Sequence, residues 1–558
     1  MLLKNPESPI DQALKLCLKA FYIVALFSLI NTLLILAVPL YSLQVFDRVI
    51  SSGSVDTLVM LSIIVVFALA CWTLINIARH FVMIAVSEWL NNEIGDKIFA
   101  RAVAIAAQTG TLVSGQAQRD LNELKTFITG QSLLTLIEAP WSIIFLIVLF
   151  LIHPTIGLIA FFGGLVLIAV AITNERATKK FTDNASKHFL KVVQGAELAS
   201  RNAEVIESMG MLDNVRNSWS RESHLGDIEQ KTSNKRMAVL SNFARFCRMV
   251  VQILVTGTGA YLVLQHEMTT GGMIAGSIIS GRALAPCDAA IGLWRSVLSI
   301  REAYFRLKKI SHVKLREEAM QLPEPKGHID VENAIYVPVG GKKPIIYNVG
   351  FSLSAGDILG IIGASAAGKT SLSKLLVGVW QCTSGNIRLD GADVYSWNRK
   401  DFGKHTGYLP QDIELFSDTI KNNIAKMDEE ATSEDVVVAA KIAGIHEMIL
   451  KMPQGYDTVV GLGILSAGQR QRIGIARAFY GNPKLVVLDE PNANLDADGE
   501  AKLVETLKYA KDNKITTIII SHRTSILEKV DKLLLMKEGK LAIFGPRDKV
   551  LEKLKQTA

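Results

Sequence analysis

At 558 residues, with 49% hydrophobic and 20% charged residues and a mean hydropathy of +0.28, the chain is too long for one core and too apolar for a wholly soluble protein. A net charge of +7 without an aromatic-studded basic patch excludes nucleic-acid binding and leaves a bias toward membrane surfaces and their lipids. Five scattered cysteines (Cys17, Cys71, Cys247, Cys287, Cys382) lack metal-like spacing and read as apolar filler in a reducing compartment.

Residues 1–20 read as a short cytoplasmic segment, with no small-residue cleavage site after the first apolar run and hence no removable signal. That run, Phe21 to Leu43, is uncharged and long enough for a bilayer, which takes about 20 residues. A polar turn over 44–56 leads to a second span near 57–77. The third and fourth spans, near 133–152 and 155–173, are separated only by His153-Pro154 and form a helical hairpin. A fifth lies near 249–264, and a weaker sixth follows Gly271-Gly272. The long connections 79–130 and 174–248 read as amphipathic helix, the second rich in Lys and Arg, whereas the short connections hold almost none. The positive-inside tendency therefore places both long loops, the N-terminus and the C-terminal half of this multi-pass chain in the cytoplasm.

The sixth segment is interrupted by Arg282, Asp288 and Arg295, and Pro286 is expected to bend it. Asp288 and Arg295, seven residues apart, share a helix face. They line a polar path, form a structural ion pair, or mark a segment already emerging into the cytosol; Glu138, beside Pro140, carries the same alternatives.

After a helical membrane domain over 21–310 and a charge-rich linker over 311–328, residues 329–558 alternate short β-like runs, turns and helices, as an α/β nucleotide domain does. Tyr336 either stacks on a base or is an ordinary strand aromatic. The apolar run 358–362 leads into Gly363, Ala364, Ser365, Ala366, Ala367, Gly368, Lys369 and Thr370, and a helix-like run begins at Ser371. This is the P-loop pattern in its strand–loop–helix context: bare amides and a helix N-terminus cradle phosphates, Lys369 reaches the β- and γ-phosphates of ATP, and the Thr370 hydroxyl binds Mg²⁺. Downstream, 485–488 is an apolar strand ending in Asp489 and Glu490. Asp489 suits Mg²⁺ and Glu490 suits polarising the attacking water. His522 ends a third apolar run and either contacts the γ-phosphate or is a structural histidine, its place at a strand end favouring the first.

Leu465-Ser466-Ala467-Gly468-Gln469, followed by the run Arg470 to Arg477, resembles the signature motif of ATP-binding cassette (ABC) transporters. The P-loop, Gln411, Asp489-Glu490, Asp496 and His522 share that family's order and spacing. The resemblance implies that Ser466, Ala467, Gly468 and Gln469 meet ATP held by a second copy, and that Asp496 belongs to the nucleotide site. It implies that Gln411 senses Mg²⁺ and that the working unit is a homodimer. The stretches 40–48, 53–58, 138–141, 201–206 and 281–286 resemble PrtD-type exporters of type I secretion systems. Those exporters move unfolded polypeptides bearing an uncleaved C-terminal signal, with a periplasmic adaptor and an outer-membrane channel. A lipid or drug flippase with the same ATPase, and a channel or regulator with vestigial turnover, are the rival readings. Two departures from the family stand out: Ala467 where glycine is usual, and a short 459–464 segment lacking the usual glutamate.

Overall fold

Long uninterrupted apolar periodicity builds the first half of the chain, and short β-branched runs build the second. The computed structural model describes residues 8–110, 114–313, 322–461 and 465–557. Contacts divide them into two units: one holds the residues up to 102 and from 114 to 313, the other holds 103–110 and everything from 322 onward.

In the first unit, Ser8 caps α1 (Pro9–Ile35): its Oγ accepts the Asp11 N–H at 3.3 Å, and Pro9 fills the first helical position. Helix α2 (Ala37–Gln44) continues through a π-helical turn, Val45–Val49, and the chain breaks only at Gly53, whose φ of +62° is left-handed. The polar turn expected over 44–56 is thus mostly helical. Helices α3 (Val55–Thr109), α7 (Pro154–Arg201) and α8 (Leu212–Leu264) run 55, 48 and 53 residues. Each joins a span to its amphipathic extension without a break, over about 70–80 Å. Between them lie α4 (Ser114–Thr129), α5 (Gln131–Glu138) and α6 (Ser142–Ile152), the last two separated by a 3₁₀ turn at Ala139–Trp141. The expected hairpin of third and fourth spans is α6–His153–α7.

Five helical stretches among the described residues are long and apolar enough to cross a membrane. The sixth expected span is α9 (Thr270–Ser311), a 42-residue helix that runs through Pro286 and is less apolar. The side chains of Asp288 and Arg295 lie outside the described residues, as do residues 314–321 of the linker and 462–464 before the signature motif.

Glu138 is paired inside the unit. Arg79, 2% exposed, meets Glu138 at 2.6 Å and donates to Ser28 Oγ at 3.0 Å; in the same layer Asn76 donates to Asn31. Polar groups that lipid would leave unsatisfied are thus shared among α1, α3 and α5. At the far end of α2, Asp47 accepts the Gly271 N–H at 2.8 Å and the Thr269 hydroxyl at 2.7 Å, fastening the start of α9.

The second unit holds two sheets. Strands β1 (Ile329–Tyr336), β2 (Ile346–Leu353), β4 (Ser384–Leu389) and β5 (Ala392–Asp393) form an antiparallel sheet in the order β2-β1-β4-β5. The second sheet runs β10-β9-β3-β8-β7-β6, from β3 (Ile358–Gly363), β6 (Thr406–Leu409), β7 (Leu485–Asp489), β8 (Thr516–Ile520), β9 (Lys532–Lys537) and β10 (Lys540–Pro546). All but β10 are parallel. β7 and β8 are buried on both faces, which explains their unbroken Val/Ile/Leu runs.

Candidate functional site

In an open parallel sheet, chemistry collects beyond the carboxyl ends of the strands. Here β3, β8, β7 and β6 lie side by side and end level: Ile361 pairs with Ile520, Ile520 with Asp489, and Leu488 with Leu409. Their next residues are the P-loop, Ser521-His522, Glu490 and Pro410-Gln411, so four separate stretches of sequence meet on one edge.

The P-loop leaves β3 at Gly363, where an added Cβ would lie 2.4 Å from the Met536 carbonyl oxygen. Ala366 (φ +62°) and Gly368 (φ +94°) are left-handed, curling the loop before α10 (Lys369–Leu376) begins. Ser365 and Ala366 are exposed and Ala367 is buried. The first amides of α10, from Lys369, Thr370 and Ser371, have no partner within the helix and present a positive end. Lys369 folds back so that Nζ donates to Gly363 O at 2.6 Å and Ala364 O at 3.0 Å, which sets its ammonium over the loop.

Asp489 is fully buried. Ser373 Oγ donates to its Oδ2 at 3.3 Å, while Oδ1 has no partner. Burial pushes its carboxyl pKa up, against the lowering influence of the nearby Thr370 and Ser373 hydroxyls. A buried carboxylate with a bare oxygen beside a threonine hydroxyl is a donor set suited to a hard divalent cation, so these residues fit Mg²⁺. Glu490 follows in the left-handed region at φ +50°, an uncommon conformation for a residue with a side chain. Three contacts impose it: its N–H donates to Ile520 O, and its carbonyl accepts Gln471 Nε2 at 3.2 Å and the Ala493 N–H. Gln411 Nε2 lies 3.5 Å from Glu490 Oε2. His522 is exposed on the same edge, and the adjacent Ser521 hydroxyl donates to Asn492 Oδ1.

The signature motif opens α11 (Ala467–Phe479). Ser466 caps this helix in a reciprocal box: its Oγ accepts the Gln469 N–H, and Gln469 Oε1 accepts the Ser466 N–H at 2.9 Å. Gln469 is thereby committed to the cap. Ala467 takes the first helical position; a Cβ on Gly468 would lie 2.7 Å from Asn494 O. Among the described residues no hydrogen bond joins 466–469 to the P-loop of the same chain. Asp496 caps α12 (Ala497–Asp512) through the Gly499 N–H at 2.8 Å and pairs with Arg472 at 2.9 Å.

Tyr336 does not present a free ring. It is 6% exposed and stacked on Trp380, centroids 4.7 Å apart and planes 14° from parallel. Three residues escaped the sequence reading: Ser373, one turn beyond Lys369, and Gln471 and Arg472, which tie α11 to Glu490 and Asp496. Gln471, 1% exposed, is a polar residue on the helix face that buries Gly474 and Ile475, and that mismatch is its only signal.

Strand order and loop geometry define a P-loop nucleotide-binding domain on a chain that also holds a helical membrane unit. Residues 346–493 match the family described as ABC transporter, and residues 21–282 match the ABC transporter transmembrane region. The chain belongs to the ABC transporter family, and as such it is an ATP-binding membrane protein whose ATPase is coupled to transport. It is 38% identical over 547 residues to the type I secretion system ATP-binding protein PrsD of Rhizobium meliloti (strain 1021), covering 97% of this chain and 93% of that one. It is 26% identical to the toxin RTX-I translocation ATP-binding protein of Actinobacillus pleuropneumoniae, covering 96% and 76%. It is also 26% identical to the cyclolysin secretion/processing ATP-binding protein CyaB of Bordetella pertussis, covering 95% and 75%. In fold it resembles a bacterial Atm1-family ABC exporter with ATP bound: TM-score 0.80, 21% identity, 97% and 99% coverage.

Proposed function

We propose that this chain is the ABC component of a type I secretion system, exporting unfolded polypeptides with an uncleaved C-terminal signal across the bacterial inner membrane. The observation that carries this reading is the 38% identity to PrsD, which extends through both units. The boundaries are a short N-terminal segment, a membrane domain to about 310, a linker to 328 and a cytoplasmic ATPase domain beyond. The partners are a second copy, a periplasmic adaptor and an outer-membrane channel.

In this reading the P-loop amides and Lys369 hold the β- and γ-phosphates of ATP. Thr370, Asp489 and Gln411 hold Mg²⁺, which when bound neutralises charge developing on the phosphoryl oxygens. Glu490 orients the attacking water and accepts its proton, and His522 steadies the γ-phosphate. The N-terminus of α11, with Ser466 and Gly468, serves the nucleotide of the second copy. Asp496 positions α11 through Arg472 rather than touching nucleotide. On the membrane unit, Val205, Met209 and Leu212 lie exposed at the tip between α7 and α8, an apolar surface suited to a second copy's ATPase domain.

The test is ATP hydrolysis by the purified protein in lipid, with and without a peptide from the C-terminus of a candidate cargo. Glu490→Gln should abolish turnover, and the peptide, not a scrambled version, should change the wild-type rate. A response to lipids or small apolar compounds alone would replace this reading with a flippase.

A further inference from the structure

We propose that Gln471 is a positioning residue for ATP hydrolysis: one buried hydrogen bond from its amide holds Glu490 in the backbone conformation that sets its carboxylate beside Gln411. The inference rests on the nucleotide reading above and adds the residue that keeps Glu490 in place. Glu490 needs such a hold. It is where the chain leaves β7, and its φ of +50° lies in the left-handed region that residues with a side chain rarely adopt.

On its N-terminal side the residue is fixed by the sheet, because the Glu490 N–H donates to Ile520 O at 3.0 Å. On the other side its carbonyl accepts two bonds among the described residues. The Ala493 N–H at 3.2 Å belongs to the same turn and moves with it. Gln471 Nε2, also at 3.2 Å, comes from α11 and is the anchor from outside the turn. No hydrogen bond among the described residues ties Glu490 to α10, the helix that follows the P-loop. Its backbone is set by the signature helix instead.

Gln471 is buried on the helix face that also carries Gly474, Ile475 and Ala478, at i+3, i+4 and i+7. An apolar side chain of that length would fill the same space, and a buried amide is costly unless both of its ends are satisfied. Here both are. Asn494 Nδ2 donates to Gln471 Oε1 at 3.3 Å, which turns the amide with its N–H toward Glu490 O. Asn494 in turn abuts the signature motif, its carbonyl oxygen 2.7 Å from a Cβ added at Gly468. One buried hydrogen bond shifts an equilibrium by about fivefold. Without it Glu490 is presented productively less often. The step that needs its carboxylate slows, and ground-state ATP binding, which does not need it, is spared.

The experiment compares kcat with two affinities in the full-length protein in lipid. One is for ATP with Mg²⁺, measured in the Glu490→Gln background; the other is for orthovanadate with MgADP, a mimic of the phosphoryl-transfer state, measured with Glu490 present. Gln471→Met should lower kcat and vanadate affinity alike by about fivefold and leave ATP affinity unchanged. Asn494→Asp should do the same by another route. A carboxylate there accepts the Gln471 N–H, turns the amide over and faces its oxygen to Glu490 O. Both changes act through one bond, so the double variant should be no slower than Gln471→Met. If Gln471→Met does not fold, Asn494→Asp decides alone. A kcat within about twofold of the wild type in the variants overturns the inference. So does a loss of ATP affinity equal to the loss of kcat, or a double variant in which the two losses multiply. Absence of ATP binding in the Glu490→Gln protein itself refutes the nucleotide reading, and the inference with it.

Discussion

Replacing Asp489 with Asn should stabilise the metal-free protein while destroying its response to Mg²⁺ and ATP. Asp489 has no exposed surface, one oxygen is bare, and the other accepts a single long hydrogen bond from Ser373. An unsatisfied buried polar group costs about 1–3 kcal/mol, and more when charged. An amide of the same shape carries no charge to desolvate. For a domain of this size each kcal/mol moves the melting point by about 2–4 °C, so the gain should be about 5 °C. Ligand at a hundred times its dissociation constant should in turn stabilise the wild type by about 2.7 kcal/mol and the variant hardly at all. Because burial raises the folded carboxyl pKa, its proton-linked stability is present at low pH and lost as pH rises through the raised value. The variant's advantage should therefore widen as pH rises above the ordinary aspartate value of 3.8. Calorimetry of the full-length protein in EDTA and in Mg²⁺-ATP measures all three. A lower melting point for Asp489→Asn in EDTA refutes the reasoning, because the carboxylate would then be a structural acceptor rather than a cation site.

In the membrane unit, Arg79→Met or Glu138→Leu alone should each cost about 3–5 kcal/mol by stranding a buried partner, and the double variant should recover most of the loss; unfolding in mixed micelles reads the cycle. Lys426 Nζ donates to Gly403 O and Thr406 O, and burial holds its pKa down at about 8 against 10.5. The stability linked to it is present above the unfolded value and lost as pH falls through 8, so the wild type should gain on Lys426→Met between pH 8 and pH 10 in denaturant titrations.

The P-loop, the acidic strand and the signature helix were legible because each is a local pattern: an apolar strand, a turn of small residues, a capped helix. The spans were legible for the same reason, by length and apolarity. What stayed hidden depends on parity or on partners. Counting by twos from Ile329 and Val331 turns Tyr336 outward, toward a ligand. The pairing of β1 with β2 slips between Val331 and Ala334, where Asn333 is left-handed at φ +47°. That bulge reverses the alternation and sends Tyr336 into the core. Arg79 was missed because it sits just past the second apolar run, where a charge looks like the end of a span rather than half of a pair.

The capping box on α11 also bears on how much sequence change the signature can absorb. Serine and glutamine side chains close the helix end on themselves, so what remains to meet an anion is backbone. A position that contributes only an amide is indifferent to its side chain unless something stands in the way. Nothing within the motif's own cap constrains Ala467, whereas Asn494 O blocks any side chain at Gly468. The alanine in place of the family's usual glycine is then a silent spelling of the same motif. A saturation library across 466–469 should return many letters at 467 and one at 468.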